Sequence, residues 1–491
     1  MSNLLIKIPE EVITVARSLS RVGFSVYLVG GWLRDALLRR ESASAPDLAT
    51  NALPEEIQKI FPDSVYENEF GTVLVKSGSE NEDLKIIEIT TFRTEKNYFD
   101  KRHPDSVQFV KNIEEDLARR DITINALAFN LDEKVVGNIL DLFDGQKDIE
   151  NKIIRAVGDP QKRFEEDALR LMRAVRFACQ LGFAIEEKTL AAIKKNAPLL
   201  KEIAEERIRD EFSKIMMTKR AKVGIELLEE TGLLKFIMPE LREGIGVAQN
   251  LHHIYSVWEH NLLALDYAAK KDFSLELRLA SLLHDVGKPR TKSGEGKYAT
   301  FYAHEIVGAR MAKKILENLK FSKETVEKVV HLVRYHLFYY NVGEVTEAGV
   351  RRFIARVGIE QIDDLLKIRQ ADRIGSGVPK AVPYKLRHLL FMIDKVRQDP
   401  ISPKMLKING LQVMEILKIQ PGPRVGWILG VLLEEVLDEP HKNIEDYLGK
   451  RVKEFGELSD GELLKMSEKS RQTKQEFEQE VEEETKKKYY V

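Results

Sequence analysis

The sequence predicts a multidomain α+β protein: an N-terminal α/β head with a small mixed sheet, followed by regions built from helices alone. At 491 residues the chain is too long for one hydrophobic core. Short strand-like runs are confined to the first 150 residues, whereas helical periodicity runs from Arg163 onward. The expected parts are a head (1–150), a helical neck (151–222), a helical body (223–395), a helical C-terminal region (396–455) and a charged tail (456–491).

Strands are expected in the head where β-branched residues are bounded by turn residues. From Ile87 onward one of these runs alternates apolar and polar residues, which is typical of a strand with one wet face. The predicted strands are Val26–Val29, Val73–Lys76, Lys85–Thr91 and Val107–Phe109.

Composition excludes several classes of protein. The single cysteine, Cys179, rules out an internal disulfide, lies in a helical pattern that predicts a packed core position, and favours a reducing cytoplasm. No apolar run approaches the roughly 20 residues that span a bilayer, and the N-terminus does not resemble a signal peptide. Although the net charge of the chain is −2, residues 151–222 carry a local excess of positive charge, with 17 Lys/Arg against 11 Asp/Glu. This patch suits either a bound polyanion or solvated helix faces, and the sequence leaves the oligomeric state open.

A glycine turn is the most informative local feature. The strand ending at Val29 stops on Gly30 and Gly31 and continues as a helix that carries Arg34. Without a Cβ, glycines let backbone N–H groups approach a triphosphate, and Arg34 can then neutralise phosphate charge. Asp47, expected on a strand, can hold a metal ion against that phosphate, an arrangement that suits nucleotidyl transfer. A Gly-Gly turn taken alone also serves merely to reverse the chain.

Three further motifs indicate which kind of protein this glycine turn belongs to. These are Glu88-Ile89-Thr90-Thr91-Phe92-Arg93, Tyr98–Pro104, and Glu115-Asp116-Leu117-Ala118-Arg119-Arg120-Asp121-Ile122-Thr123-Ile124-Asn125-Ala126. With the first, they resemble the bacterial (class II) tRNA nucleotidyltransferase/poly(A) polymerase family from about residue 20 to 450. The resemblance implies template-independent addition of nucleotides to RNA 3′ ends, with Mg²⁺ in the head, CTP and ATP as substrates, and the tRNA 3′ end as partner. It also implies that Tyr98–Pro104 is the loop that helps switch specificity from C to A.

The chain departs from the family at a catalytic position. The family carries D-x-D on one strand, which places both carboxylates on the same side. Here the second aspartate is Asp47, but Ala45 stands where the first is expected. Three interpretations stay open: a disabled active site, a shifted loop in which Glu41 or Asp35 supplies the lost ligand, or a head retained only to bind nucleotide or RNA.

The resemblance also assigns a phosphate contact to Arg120, beside Gly31 and Arg34. The alternative for Arg120 is an ordinary ion pair with Asp116 or Asp121.

The neck carries a second motif, in which Asp167, Arg170 and Arg173 are spaced at i, i+3 and i+6 and should share one helix face. Leu169, Met172 and Phe177 should form the packed face. A carboxylate beside an Arg fork can address the amino and ring-nitrogen edge of cytosine or adenine. The resemblance implies that Asp167 and Arg170 read the incoming base, with Arg173 and Arg176 facing phosphates; the alternative is a salt bridge on a solvated face.

Within the helical body, residues 245–375 hold seven of the ten histidines. His260, the adjacent pair His284-Asp285, and Asp372 resemble the H…HD…D pattern of HD-domain phosphohydrolases, which implies a divalent metal site of unspecified metal. Lys288 could steady a phosphate, and the resemblance implies 2′,3′-cyclic phosphates, 2′-nucleotides or damaged RNA ends as substrates. His304 and His336 are additional candidates for a second metal or for core positions, whereas His252, His253 and His331 are expected to be structural.

The expectation is therefore a cytoplasmic tRNA nucleotidyltransferase that adds C, A or both, fused to an HD domain, with no membrane partner. Alternatives are an A-adding enzyme, a CC-adding enzyme, a poly(A) polymerase, or an HD phosphohydrolase whose head is a non-catalytic RNA-binding module.

Overall fold

The computed structural model describes residues 6–40, 45–67, 70–96, 106–131, 139–250, 254–338 and 340–469. The chain folds as two compact units, Met1–Pro239 and Glu240–Val491. The five-part division stays a prediction. Four of the predicted features lie outside the described residues: the Tyr98–Pro104 loop, Glu41, the His252-His253 pair and the tail beyond residue 469.

The first unit contains all the named strands of the described chain. They are β1 (Val26–Val29), β2 (Asp47–Thr50), β3 (Val65–Tyr66), β4 (Thr72–Lys76), β5 (Ile86–Thr91), β6 (Arg93–Lys96), β7 (Ser106–Phe109), β8 (Leu127–Asn130), β9 (Ile139–Asp141), β10 (Ile153–Ile154) and β11 (Ala184–Ile185). The four predicted strands are thus confirmed to within a residue or so at their ends. The prediction that strands end before the neck is wrong in one detail, because β11 pairs with β10 in parallel.

The main sheet has the order β3-β4-β5-β2-β1-β8-β9 and is mixed, as predicted. Neighbouring strands are antiparallel except β2 and β5, which run parallel. Burial follows the alternation in β5, where Ile87 and Ile89 are fully buried and Glu88 between them is exposed. One face of the sheet packs Val29 and Ala49 against Ile113 and Leu117.

The first unit also contains the helices of the head and the neck. In chain order they are α1 (Glu10–Ser20), α2 (Gly30–Leu37), α3 (Pro54–Ile60), α4 (Ile113–Ala118), α5 (Gly145–Asn151), α6 (Pro160–Glu166), α7 (Leu169–Leu181), α8 (Glu187–Asn196), α9 (Glu205–Met216), α10 (Ala221–Glu230) and α11 (Leu234–Ile237). Cys179 is fully buried on α7, which confirms the packed core position. Leu169, Met172 and Phe177 are also buried, as predicted.

A short helix, α12 (Pro239–Arg242), spans the boundary between the units in the chain. In the described residues of the second unit, all the named elements are helices, and one isolated β-bridge joins Ser293 to Thr300. Its helices are α13 (Val257–Lys270), α14 (Leu275–Leu283), α15 (Lys288–Thr291), α16 (His304–Asn318), α17 (Lys323–Tyr335), α18 (Glu347–Val357), α19 (Ile359–Gly375), α20 (Tyr384–Val396), α21 (Gly410–Leu417), α22 (Pro423–Asp438) and α23 (Glu445–Gly456).

The second unit contains a separate hydrophobic cluster near its C-terminal end, centred on Val413, Ile428, Leu432, Leu448 and Val452. The turn before Pro423 opens α22, and residues 460–469 are helical. Among the described residues, no helix is both long and apolar enough to cross a membrane.

Candidate functional site

At the glycine turn, the end of β1 and the N-terminus of α2 lie beside Asp47. Gly30 has φ +77°, a backbone conformation that L side chains rarely adopt, and it opens α2. A Cβ on Gly30 would lie 2.9 Å from Oδ2 of Asp47 and 3.8 Å from a guanidinium nitrogen of Arg120. Gly30 and Gly31 are both partly exposed, and no side chain caps the N-terminus of α2. The first amides of α2 are therefore available to an anion beside Asp47.

A second carboxylate lies beside Asp47. The parallel register pairs Asp47 with Glu88, so the two side chains leave the same face of neighbouring strands about 4.8 Å apart. Burial raises the pKa of Asp47 to about 6, the nearby charge of Glu88 adds to the rise, and Arg120 opposes it. Burial and the charge of Glu67 also raise the pKa of Glu88. This concentration of negative charge favours a bound cation.

Ala45 lies two residues before β2 and has no carboxylate to add to this pair. Glu88 was not predicted as a site residue, although it begins the Glu88–Arg93 motif and lies on the wet face of the alternating strand. Asp35, considered as a substitute ligand, instead forms an ion pair with Arg34, with Nη2 2.8 Å from Oδ1.

Arg34 is itself buried, with 4% of its surface exposed. Besides Asp35 it binds Oδ1 of Asn125, at 2.9 Å from Nη1. Its guanidinium also lies 5.4 Å from the centre of the Phe177 ring. These groups hold the guanidinium of Arg34 in place, and its predicted contact with the triphosphate stays a prediction.

Arg120 makes the ion pair considered as its alternative. Its Nη2 lies 3.2 Å from Oδ2 of Asp116, and its Nη1 donates to the carbonyl of Asn125 at 3.2 Å. Asp116 also pairs with Arg119 at 2.8 Å. Burial alone would raise the pKa of Asp116, but the two guanidinium groups lower it. Arg120 is thereby fixed beside Gly30 and Asp47.

The neck motif does not lie on one helix, so the shared face predicted for Asp167, Arg170 and Arg173 is wrong. α6 ends at Glu166, Asp167 is extended with φ −137° and ψ 107°, and α7 begins at Leu169. Oδ1 of Asp167 accepts a hydrogen bond from the Leu169 amide at 2.9 Å. The short polar side chain bonds to the backbone and breaks the helix there.

Asp167 and Arg170 have different partners at this break. Oδ2 of Asp167 lies 3.4 Å from Nη2 of Arg207, on α9. Nη1 of Arg170 lies 2.8 Å from Oε2 of Glu166, which also pairs with Arg163 at 2.7 Å. Arg170 is only 8% exposed, whereas Asp167 is partly exposed. Arg207 was not predicted as a neighbour of Asp167, because no local pattern links α9 to this helix break.

Two other arginines of the neck contact carboxylates and an aromatic ring. Arg173 binds Asp121 and Arg176 binds Glu211, each with 2.6 Å between nitrogen and oxygen. Burial would raise the pKa of Asp121, but Arg173 lowers it to about 2. Both guanidinium groups lie over the Phe177 ring, at 5.5 and 4.0 Å from its centre. Phe177 thus gathers cationic side chains close to Arg34.

The second unit brings the four predicted metal ligands together. His260 on α13 places Nε2 3.1 Å from Oδ2 of Asp285 and 3.5 Å from Oδ1 of Asp372, on α19. His284, at the end of α14, places Nε2 2.8 Å from Nε2 of His260. His260, His284 and Asp285 form a group whose ligand atoms lie within 4.8 Å of one another, and all three are buried. Such a set of imidazole and carboxylate ligands fits a divalent metal ion.

The protonation states of His284 and Asp285 suit a bound cation. Burial lowers the pKa of His284 to about 3, so its ring is neutral at pH 7. Burial would raise the pKa of Asp285, but the charge of Lys288 holds it well below its usual range. Nζ of Lys288 lies 2.6 Å from Oδ2 of Asp285 and donates to Gln249 at 2.7 Å.

His331, which the sequence predicts to be structural, packs against Tyr335, with 4.7 Å between the two ring centres.

Three family descriptions match successive parts of the chain. Residues 26–155 match the Poly A polymerase head domain. Residues 182–245 match the probable RNA and SrmB-binding site of polymerase A, and residues 245–375 match the HD domain.

Relatives cover the chain to different extents. The CCA-adding enzyme of Lactobacillus helveticus is 49% identical over 231 residues, which are 46% of this chain and 55% of that protein, so the chain spans about half of that relative's length. The CCA-adding enzyme of Enterococcus faecalis is 49% identical over 451 residues, which are 89% of this chain and 94% of that protein. This chain belongs to the tRNA nucleotidyltransferase/poly(A) polymerase family.

Solved structures agree with this family membership. The CCA-adding enzyme of Bacillus stearothermophilus in complex with CTP has a TM-score of 0.67 and 29% identity, over 91% of this chain and 96% of that one. The Thermotoga maritima CCA-adding enzyme complexed with tRNA has a TM-score of 0.54 and 20% identity, over 92% and 97% of the two chains, and supports the fold alone.

Proposed function

We propose that this member of the tRNA nucleotidyltransferase/poly(A) polymerase family adds C and A to the 3′ end of tRNA, from CTP and ATP and without a template. The observation that carries the proposal is the meeting of the glycine turn with the Asp47–Glu88 pair. The names of the full-length relatives support the same activity. A cytoplasmic location stays a prediction.

Asp47 and Glu88 are the residues that would hold Mg²⁺ in the head. Burial raises the pKa of both carboxylates, and the charge of Glu88 adds to the rise at Asp47; a shared cation would relieve that repulsion. Carboxylate oxygens are the protein ligands that Mg²⁺ prefers. The bound metal would draw charge from the triphosphate. In this proposal Glu88 performs the second-ligand role, so Ala45 does not disable the head.

The transfer reaction itself needs positioning more than covalent help. The RNA 3′-hydroxyl oxygen forms a bond to the α-phosphorus of CTP or ATP. The bond between that phosphorus and the pyrophosphate oxygen breaks, pyrophosphate leaves, and the hydroxyl proton passes to solvent. The amides at Gly30 and Gly31 would bind the triphosphate, and Arg120 would contribute positive charge from the side of Asp47. Arg34 is buried, so its role would be indirect: it would hold Phe177 and α2 in position.

Base recognition is assigned to Asp167 and Arg170. Asp167 is partly exposed at the helix break, where its Oδ2 could accept from the amino group that cytosine and adenine both present. Nη1 of Arg170 is held by Glu166, so in this proposal another nitrogen of the same guanidinium donates to the base. Arg173 and Arg176 add positive charge for phosphates, and the basic neck would contact the tRNA backbone.

The test uses tRNA that ends before CCA, with labelled CTP, ATP or both. The native chain should extend this tRNA by CCA, and Ala45→Asp should change the rate little. Incorporation of A alone, or of C alone, would assign the chain to an A-adding or CC-adding enzyme. Long A tracts would indicate a poly(A) polymerase. Incorporation only by Ala45→Asp would refute the proposal, because the native head would then be disabled.

We further propose that the second unit is a metal-dependent phosphohydrolase, because His260, His284, Asp285 and Asp372 converge as a buried ligand set. A bound divalent metal would make water a nucleophile near neutral pH. With a 2′,3′-cyclic phosphate, water adds to phosphorus, one ribose oxygen leaves with a proton, and a phosphomonoester remains. Lys288 would steady the phosphate.

The hydrolase proposal is tested separately with a nucleoside 2′,3′-cyclic phosphate and added Mn²⁺, Co²⁺ or Ni²⁺. The native chain should open the ring, and Asp372→Asn should not. Equal hydrolysis by both would contradict the assignment. CCA addition should be unchanged in Asp372→Asn, so the two activities can fail independently.

A further inference from the structure

Helix α20 carries large side chains on two faces, whereas a surface helix needs only one apolar face to pack on its core. One face of α20 is buried, and the helix packs against α18. The buried residues of that face are Leu386, Leu389, Ile393 and Val396. The opposite face carries Tyr384, His388 and Phe391, spaced at i, i+4 and i+7. At about 100° per residue, these three rings lie within about 60° of arc on the side away from the core.

The rings of this second face contact one another and are open to solvent. Tyr384 and Phe391 are 62% and 61% exposed. The His388 ring lies 6.1 Å from each of them, measured between ring centres. Tyr340 also contacts His388, since its hydroxyl is hydrogen-bonded to Nδ1 and the two ring centres are 6.0 Å apart. These four rings form the α20 aromatic surface, and contiguous exposed rings of this kind are typical of an interaction site.

The charge around the α20 aromatic surface has a single sign. Residues 378–391 contain three cationic residues and no aspartate or glutamate. The cationic residues are Lys380, Lys385 and Arg387, and all three are exposed. The next acidic residue along the helix, Asp394, lies 3.8 Å from a guanidinium nitrogen of Arg397. Exposed rings beside positive charges suit a partner in which flat bases alternate with negative phosphates.

We propose that the α20 aromatic surface binds unpaired bases of RNA by stacking. Stacking tolerates any sequence because every base has a π-face, and the neighbouring cations would contact the phosphates. This contact differs from the one proposed for the basic neck, which depends on the charge of the tRNA backbone. It needs no CTP, ATP or divalent metal, so it can fail or succeed independently of nucleotide addition and of phosphate-ester hydrolysis.

Fluorescence anisotropy with the full chain and a short labelled single-stranded RNA, without nucleotide or divalent metal, measures the contact. Tyr384→Leu and Phe391→Leu keep an apolar side chain but lose the π-face, so each should weaken binding about tenfold. Tyr384→Trp should bind at least as tightly as the native chain. The matched control is Leu411→Ala, a residue of the same unit that is 73% exposed, and it should leave the affinity unchanged.

Two comparisons separate base stacking from attraction of the backbone. Arg387→Gln should reduce the slope of log affinity against log salt concentration by about 0.7, the share of one phosphate contact in a single strand. A duplex RNA of the same sequence should bind the native chain and Tyr384→Leu equally, because its bases already stack on one another. A tenfold loss for the duplex as well would overturn the proposal, since unpaired bases would then not be what the rings recognise.

A further readout changes no residue of the chain. A single-stranded RNA that contains 4-thiouridine, irradiated with the native chain and then digested, should yield a crosslinked peptide that includes Tyr384 or Phe391. Crosslinks confined to the first unit, or equal affinity of the native chain and both leucine variants, would overturn the proposal. Equal losses in Tyr384→Trp and Tyr384→Leu would also overturn it, and would indicate a protein partner that recognises tyrosine itself. Crosslinks at α20 without CCA addition would refute the transferase alone.

Discussion

Asp47→Asn should stabilise the metal-free head while removing its metal site. The pKa of Asp47 rises from 3.8 to about 6 in the folded chain, so the fold favours the protonated carboxyl. This contribution is fully present below pH 3.8 and is lost as the pH rises through about 6. At about 1.36 kcal/mol per pKa unit, ionising Asp47 at pH 8 costs the folded metal-free head about 3 kcal/mol. Asparagine has the same shape and does not ionise, so it avoids this cost.

Hydrogen exchange of peptides covering β1 and β2, followed by mass spectrometry without divalent metal, measures the effect in the head itself. Protection relative to the native chain should rise by up to about a hundredfold at pH 8 and change little at pH 4. Asp63→Asn is the control, because Asp63 is an exposed aspartate of the same unit. Equal or lower protection of Asp47→Asn at pH 8 would refute the reasoning, since Asp47 would then be ionised without cost.

Two further substitutions test the geometry of the first unit. Gly30→Ala adds a Cβ 2.9 Å from Asp47 at a positive φ, so it should destabilise the fold by about 1–2 kcal/mol and lower CTP incorporation; a thermal midpoint equal to that of the native chain would contradict this. Arg207→Met removes the partner of Asp167, so the KM for CTP and ATP should rise by about tenfold with a smaller change in kcat. Arg209→Met, on the same helix, should leave both KM values unchanged, and equal effects of the two variants would argue against positioning by Arg207.

Local motifs predicted the parts of the site that depend on neighbouring residues. Gly30 ends its strand and opens a helix because its own backbone can adopt φ +77°, and His284 and Asp285 are adjacent in the chain. The strands of the head were predicted from alternation and turn residues. These signals need no knowledge of the rest of the fold.

Long-range pairing could not be predicted in the same way. Glu88 lies beside Asp47 only because β2 and β5 pair in parallel, and that register depends on tertiary packing. The prediction for Asp167 failed because spacing assumes an unbroken helix, whereas its side chain bonds to the Leu169 amide. Arg34 was predicted from its charge, but the buried Asp35 decides where its guanidinium lies.

The central claim is that Glu88 supplies, with Asp47, the carboxylate pair that nucleotidyl transfer needs in a chain with Ala45. The rate of labelled CTP incorporation into tRNA lacking CCA, measured with Glu88→Gln, tests it most directly. The matched control is Glu82→Gln, an exposed glutamate paired with Lys85. Loss of a metal ligand worth about 3 kcal/mol predicts a rate about a hundredfold lower for Glu88→Gln and an unchanged rate for Glu82→Gln. Native incorporation by Glu88→Gln would contradict the account.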